Sequence, residues 1–194
     1  MADVYLYDDI GGYGVTASEF VSELGRVTAR QMNLHINTPG GSVFDGVAIH
    51  NALRAHPARV TVRIDGLAAS AGSFVAMAGD VVEIAPNGMM MIHNAQGATM
   101  GDARVHEEQA ALLAKLNNVI AGMYAERSGE PAATWLTAMD AETWYSASEA
   151  VAAGLADRII GTETTTNQVG DKAPTGEAAH IAHLFQNMTR EARQ

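Results

Sequence analysis

The chain has 194 residues, 47% hydrophobic and 18% charged, with no cysteine. That length suffices for one domain with a substantial core, and the lack of cysteine excludes disulfides, thiolate metal sites and a cysteine nucleophile. A formal net charge of −10 argues against nucleic acid as the main partner, because phosphate binding needs clustered Lys and Arg.

The N-terminus, Met1-Ala2-Asp3-Val4-Tyr5, has no basic region followed by an apolar run, so it does not read as a signal peptide. No stretch approaches the roughly 18 apolar residues of a membrane span. Both points lead to the expectation of a soluble cytoplasmic protein without a membrane partner. Val4-Tyr5-Leu6-Tyr7 predicts an opening strand, ended by Asp8-Asp9-Ile10-Gly11-Gly12. A helix is predicted from about Thr16 to Val27, capped by Thr16 or Ser18, with Phe20, Val21 and Leu24 on one face. Met32, Leu34 and Ile36 alternate with polar residues as in a strand, which runs into Thr38-Pro39-Gly40-Gly41-Ser42. A second helix follows, carrying Val43, Val47, Ile49 and Leu53. Val60, Val62 and Ile64 form the next alternating strand, and Gly66 to Ser73 leads into a small-residue helix ending near Gly79-Asp80. Val81–Ile84 and Met89–Ile92 are short strands either side of a Pro86-Asn87-Gly88 turn.

The longest helical pattern runs from about Asp102 to Arg127. Val105, Leu112, Leu116, Val119 and Met123 share a face that Gln109 interrupts. Such a stripe serves the chain's own core or assembly between subunits. Pro131–Ala138 and Ala147–Ala153 read as shorter helices, and Arg158-Ile159-Ile160 as a last strand. Composition turns polar at Gly161, and Ile181, Leu184, Phe185 and Met188 then give a short amphipathic helix. The strand–helix alternation predicts an α/β domain over residues 1–160, with a mainly parallel sheet and right-handed βαβ crossovers. Residues 161–194 read as a polar linker and helix.

Three local features bear on chemistry. Ser70 follows an alternating strand within Gly66-Leu67-Ala68-Ala69-Ser70-Ala71-Gly72. A hydroxyl there projects from the sheet edge near the positive end of a helix, although an N-cap serine would look the same. His93 ends the Met91-Ile92-His93-Asn94 strand and can exchange a proton with serine near neutral pH. A strand-end histidine bound to backbone is the alternative. Gly40-Gly41 after a strand lets amide N–H groups point outward together, as an oxyanion hole requires, or simply turns the chain into a helix. His180 and His183 lie three apart, but no carboxylate pattern supports a metal. A Ser–Lys arrangement is disfavoured, because Lys115 and Lys172 are the only lysines.

In order, Ile36-Asn37-Thr38-Pro39-Gly40-Gly41, Gly66-Leu67-Ala68-Ala69-Ser70-Ala71-Gly72, Met91-Ile92-His93 and Ser146-Ala147-Ser148-Glu149-Ala150 resemble the Clp-protease family of serine peptidases (peptidase S14). The resemblance covers roughly residues 30–160. It implies a Clp-protease/crotonase-like fold with a protruding long helix, and a serine endopeptidase with no metal or organic cofactor. By the same resemblance Ser70 is the nucleophile and His93 the general base. Ala71 N–H, with Gly40 or Gly41 N–H, makes the oxyanion hole. The third member is a carboxylate. The ungapped match from Ser146 lands on Glu142, where the family usually has Asp, and Asp140 is the alternative.

A subgroup is closer still: the Clp-related proteases of tailed phages and prophages that process the capsid during head maturation. The stretch Glu142-Thr143-Trp144-Tyr145-Ser146-Ala147 is similar to it, as are the start directly at the first strand and the polar tail. This implies a ring-forming homo-oligomer in the host cytoplasm or inside a prohead. Its substrate is a protein or peptide, here a capsid or scaffold protein. The alternatives are a degradative peptidase fed by an ATPase unfoldase, an idle shell or scaffold protein, and an acyl-CoA enzyme of the related crotonase fold.

Overall fold

The computed structural model describes residues 1–161. The polar linker, the amphipathic helix, His180, His183 and Lys172 lie outside the described residues.

Alternation in the sequence becomes alternation of elements. These are β1 (Ala2–Leu6), α1 (Ala17–Leu24), β2 (Gln31–Thr38), α2 (Val43–Ala55), β3 (Arg59–Ala69), α3 (Ala71–Ala76), β4 (Val81–Ile84) and β5 (Met89–Ile92). They continue with α4 (Ala103–Ser128), α5 (Ala132–Asp140), β6 (Thr143–Ser146), α6 (Ala147–Ala152) and β7 (Arg158–Ile159). Strands β1-β2-β3-β4-β7 lie side by side, each pair parallel. The α/β fold with a mainly parallel sheet and βαβ crossovers is therefore present.

One departure from a simple sheet places the site. β3 is 11 residues long and shares one edge between two partners. Thr61–Ile64 pair with β4, and Leu67–Ala69 pair with β5, also in parallel. The turn between β4 and β5 thus feeds β5 in above β4, and β3 and β5 end side by side. The sequence pattern stops this strand near Ile64, because Gly66 to Ala69 look like a turn. They are strand instead. β2 takes a register shift between Ile36 and Thr38, and the Asn37 side-chain oxygen accepts from Leu67 N–H at 3.1 Å. A Cβ on Gly66 would lie 2.6 Å from that oxygen, so a side chain there would displace the Asn37 amide.

Met32, Leu34 and Ile36 of β2 and Val60, Val62 and Ile64 of β3 are buried on one face, against Phe20, Leu24, Ile49, Leu53, Phe74 and Val75 of the first three helices. The opposite face is polar. Tyr5, His35, Arg63, Glu83 and Arg158 lie in one row across five strands, with His35 stacked on Tyr5 and Glu83 paired to Arg158.

α1 starts at Thr16, whose side chain and Glu19 form a capping box. α4 has 26 residues, capped by Asp102 and closed by Gly129 in the left-handed region at φ 79°. At 1.5 Å per residue it is about 39 Å long. None of residues 103–119 is buried, and Leu112 and Val119 are 40% and 49% exposed. From Val105 to Val119 the apolar stripe is therefore not core within this chain, while Met123 is partly buried against the core. The buried residues are instead Ile120, Ala121 and Tyr124, because only the last turns reach the domain, where Trp135 and Met139 of α5 are also buried. β6 was not legible from alternation, since all four of its residues are half-buried. Among the described residues it is the one antiparallel strand, pairing with β5.

Candidate active site

Because β3 and β5 end together, the residues that follow them meet. Ser70 Oγ and His93 Nε2 are 2.7 Å apart. Ser70 occupies the N-cap position of α3 but makes no side-chain cap bond; its hydroxyl goes to the imidazole instead. Ser70 also has φ 51° and ψ −120°. Such a conformation costs a non-glycine residue about 1–3 kcal/mol, so its surroundings must hold it there. Ser70 N–H donates to Met91 O at 2.9 Å, and Ser70 O accepts from Ser73 N–H at 3.0 Å and from Ser73 Oγ at 2.5 Å.

The Gly40-Gly41 loop lies against this serine. A Cβ on Gly40 would sit 2.6 Å from Ala69 O and from Ser70 Cβ, and Gly40 has φ 98°. Its N–H already donates to Thr38 Oγ1 at 3.0 Å, so Gly40 has no donor to offer an oxyanion. Gly41 differs. Ile10 bridges to it, donating to Gly40 O and accepting from Ser42 N–H, both at 2.7 Å. In extended chain the flanking residue points its polar groups the opposite way. Ile10 therefore turns Gly41 N–H away from itself, toward the cavity that Gly41 lines with Ser70 and His93. Gly41 N–H and Ala71 N–H have no acceptor among the described residues. Gly41 and Ser70 thus line a cavity of about 190 Å³, walled by Val43, Phe74, Ile120 and Tyr124, and Ala71 directly follows Ser70.

A family model described as Clp protease matches residues 16–163. The chain belongs to the Clp protease family. It is 33% identical over 138 residues to the ATP-dependent Clp protease proteolytic subunit of Pleurastrum terricola, covering 69% of each chain. It is 33% identical over 154 residues to the protein of the same name from Chara vulgaris, covering 78% of this chain and 70% of that one. As a Clp-family protein it is a serine-type endopeptidase.

The two carboxylates that compete for the third position in this Clp protease are placed differently. Asp140 Oδ1 accepts from Asn94 Nδ2 at 2.5 Å. Glu142 follows from strand register. Met89 to Ile92 pair antiparallel with Ser146 to Thr143, so His93 and Glu142 are the residues just beyond the paired ends of β5 and β6. Glu142 also has φ 48°, which breaks the chain from α5 into β6 at this point.

Sequence reasoning named Ser70, His93 and the glycines but missed Ile10, which aims Gly41, and Ser73, which grips Ser70 O. A serine three residues into an otherwise apolar α3 was the available signal for Ser73. Ile10 carried none, since its effect comes from a bridge 31 residues away in sequence.

Proposed function

We propose that Ser70 is the nucleophile and His93 the general base of peptide-bond hydrolysis. The observation that carries this is the 2.7 Å approach of Ser70 Oγ to His93 Nε2, made by a serine that leaves its helix uncapped. Ser70 Oγ attacks the scissile carbonyl while His93 Nε2 takes its proton. The oxyanion forms against the N–H groups of Gly41 and Ala71. His93 then returns the proton to the leaving amine, and water repeats the sequence on the acyl-enzyme. Gly40 shapes the loop, and Glu142 orients the imidazole. An extended substrate pairs along the side of Gly41–Val43 not taken by Ile10. Fluorophosphonate labelling of wild type against Ser70→Ala and His93→Ala tests the assignment. Both variants are expected to stay unlabelled, and labelling of Ser70→Ala at the wild-type rate would overturn it.

The finer reading is a homo-oligomeric ring that processes capsid or scaffold protein in phage head maturation. It is supported by the Trp144-Tyr145 stretch ahead of Ser146 and, for assembly, by the exposed Leu112 and Val119 on α4. The second reading, degradation fed by an unfoldase, is favoured by the relatives' description as ATP-dependent proteolytic subunits. Cleavage of candidate capsid protein without any ATPase supports the first. Casein digestion that begins only when an ATPase partner and ATP are added supports the second.

A further inference from the structure

We propose that Ser73 and Tyr124 form a positioning pair that fixes the carbonyl of Ser70 and, through it, the direction of the Ser70 hydroxyl. The inference rests on Ser70 being the nucleophile.

Both side chains are buried, Ser73 at 0% and Tyr124 at 1% exposure, and both must satisfy their polar atoms internally. Ser73 Oγ lies 2.5 Å from Ser70 O and 2.7 Å from Tyr124 Oη. A carbonyl can only accept, so the single hydroxyl proton of Ser73 goes to Ser70 O. Ser73 Oγ must then accept from Tyr124. The order of donation is fixed from phenol to serine to carbonyl. Burial pushes the Tyr124 phenol pKa up, so the donor keeps its proton over the working range.

The carbonyl they hold belongs to the strained residue of the site. The φ 51°, ψ −120° conformation of Ser70 competes with the ordinary extended or helical conformations open to a serine before a helix. A rotation of this peptide carries Oγ away from His93. The Ser73 N–H bond at 3.0 Å is an i→i−3 turn bond, made by an amide that an ordinary serine cap holds with its side-chain oxygen. The Ser73 hydroxyl adds a second bond to the same oxygen, and Tyr124 orients that hydroxyl. Tyr124 is itself held from the other side. Its carbonyl accepts from Ser128 Oγ at 2.8 Å, which accepts from Trp135 Nε1 at 2.9 Å, and its ring packs on Trp135 at 5.5 Å. The end of α4 and the start of α5 thus reach the nucleophile's backbone through two hydroxyls.

The test compares Tyr124→Phe, Ser73→Ala and the double variant with wild type and Ser70→Ala. It measures fluorophosphonate labelling rate, and kcat and KM on a short peptide, all per folded molecule. Tyr124→Phe keeps the ring and is expected to lower kcat about three- to tenfold, the worth of one hydrogen bond, with KM within about twofold. Ser73→Ala is expected to lose at least as much, and the double variant no more than Ser73→Ala alone. Should Ser73→Ala fail to fold, Tyr124→Phe decides alone. Wild-type kcat and labelling in Tyr124→Phe, a loss confined to KM, or losses that multiply in the double variant would each overturn the pair. Ser70→Ala separates the two ideas: if it is silent while the other variants behave as wild type, only the positioning role fails. If it labels normally, the nucleophile assignment fails with it.

Discussion

Asn94, the residue after His93, donates from Nδ2 to Asp140 Oδ1 at 2.5 Å. Asp140 thus braces, through Oδ1, the loop that follows β5, while Glu142 directly precedes the strand that pairs with β5. Removing the charge of a carboxylate that orients a catalytic imidazole costs up to about 10⁴-fold in kcat. Glu142→Gln is expected to lower kcat/KM by about a hundredfold or more. Asp140→Asn, which keeps an acceptor for Asn94, is expected to lose less than about tenfold. Peptide hydrolysis by the two variants checks this, and the reverse ranking would assign the role to Asp140.

The glycines of the loop make a separable pair of predictions. A Cβ on Gly40 meets the nucleophile itself, 2.6 Å from Ser70 Cβ and 2.7 Å from Ala71 N, whereas one on Gly41 meets Ile10 O at 2.1 Å. Both residues have positive φ, at 98° and 141°, where an L side chain is strained. Gly40→Ala is expected to abolish fluorophosphonate labelling by displacing Ser70. Gly41→Ala is expected to break the Ile10 bridge and lower kcat about a hundredfold or more, since that bridge aims an oxyanion donor. Labelling of Gly40→Ala at the wild-type rate would show that the loop does not press on Ser70.

Much of this was legible in the sequence because it is local. Alternation of Met32, Leu34 and Ile36 and of Val60, Val62 and Ile64 marks half of each strand for the buried face. Ser70 and His93 each follow a strand, and parallel neighbours bring such positions together. What stayed hidden depends on other segments. The extension of β3 through Gly66 has the Asn37 side chain accepting from Leu67 N–H. The choice of Gly41 over Gly40 turns on Thr38 Oγ1 and Ile10. The apolar stripe of α4 is a true helical periodicity, but periodicity does not tell what a helix face meets. Leu112 and Val119 are exposed in this chain, and Tyr124, on another face, does the packing.

Arg127 ties the end of α4 to the sheet. Its guanidinium donates to Gly79 O at 3.0 Å and to Asp157 Oδ2, and the same Asp157 oxygen accepts from Val82 N–H at 2.7 Å. The Arg127 side chain is 13% exposed and that of Asp157 47%, so the ion pair is partly screened while the bond to Gly79 O is sheltered. Hydrogen bonds to charged groups contribute about 1.5–3 kcal/mol. Arg127→Ala is expected to lower stability to urea by about that amount. Arg127→Lys is expected to recover only part, because an ammonium cannot present the same planar fork to both oxygens. Full recovery by lysine would mean that charge alone is at work here.

His50 provides the pH prediction. It is buried on α2, with Nδ1 donating to Phe74 O at 2.9 Å. Burial holds its pKa below the ordinary value, opposed by the bond to Phe74 O, with nearby Arg54 lowering it further and Glu126 raising it. An unfolded chain protonates this histidine as pH falls through about 6.5, while the folded protein does so only at lower pH. Between those two values the unfolded state binds more protons, so stability falls as pH falls. Above about pH 7 the effect is absent, and below the folded value it is complete. His50→Asn keeps a donor near the Nδ1 position but cannot titrate. Urea unfolding between pH 5 and 8 is expected to show a shallower acid-side loss for this variant than for wild type. Parallel stability curves over that range would show that His50 is not responsible, and the acid sensitivity would then have to be sought in other groups.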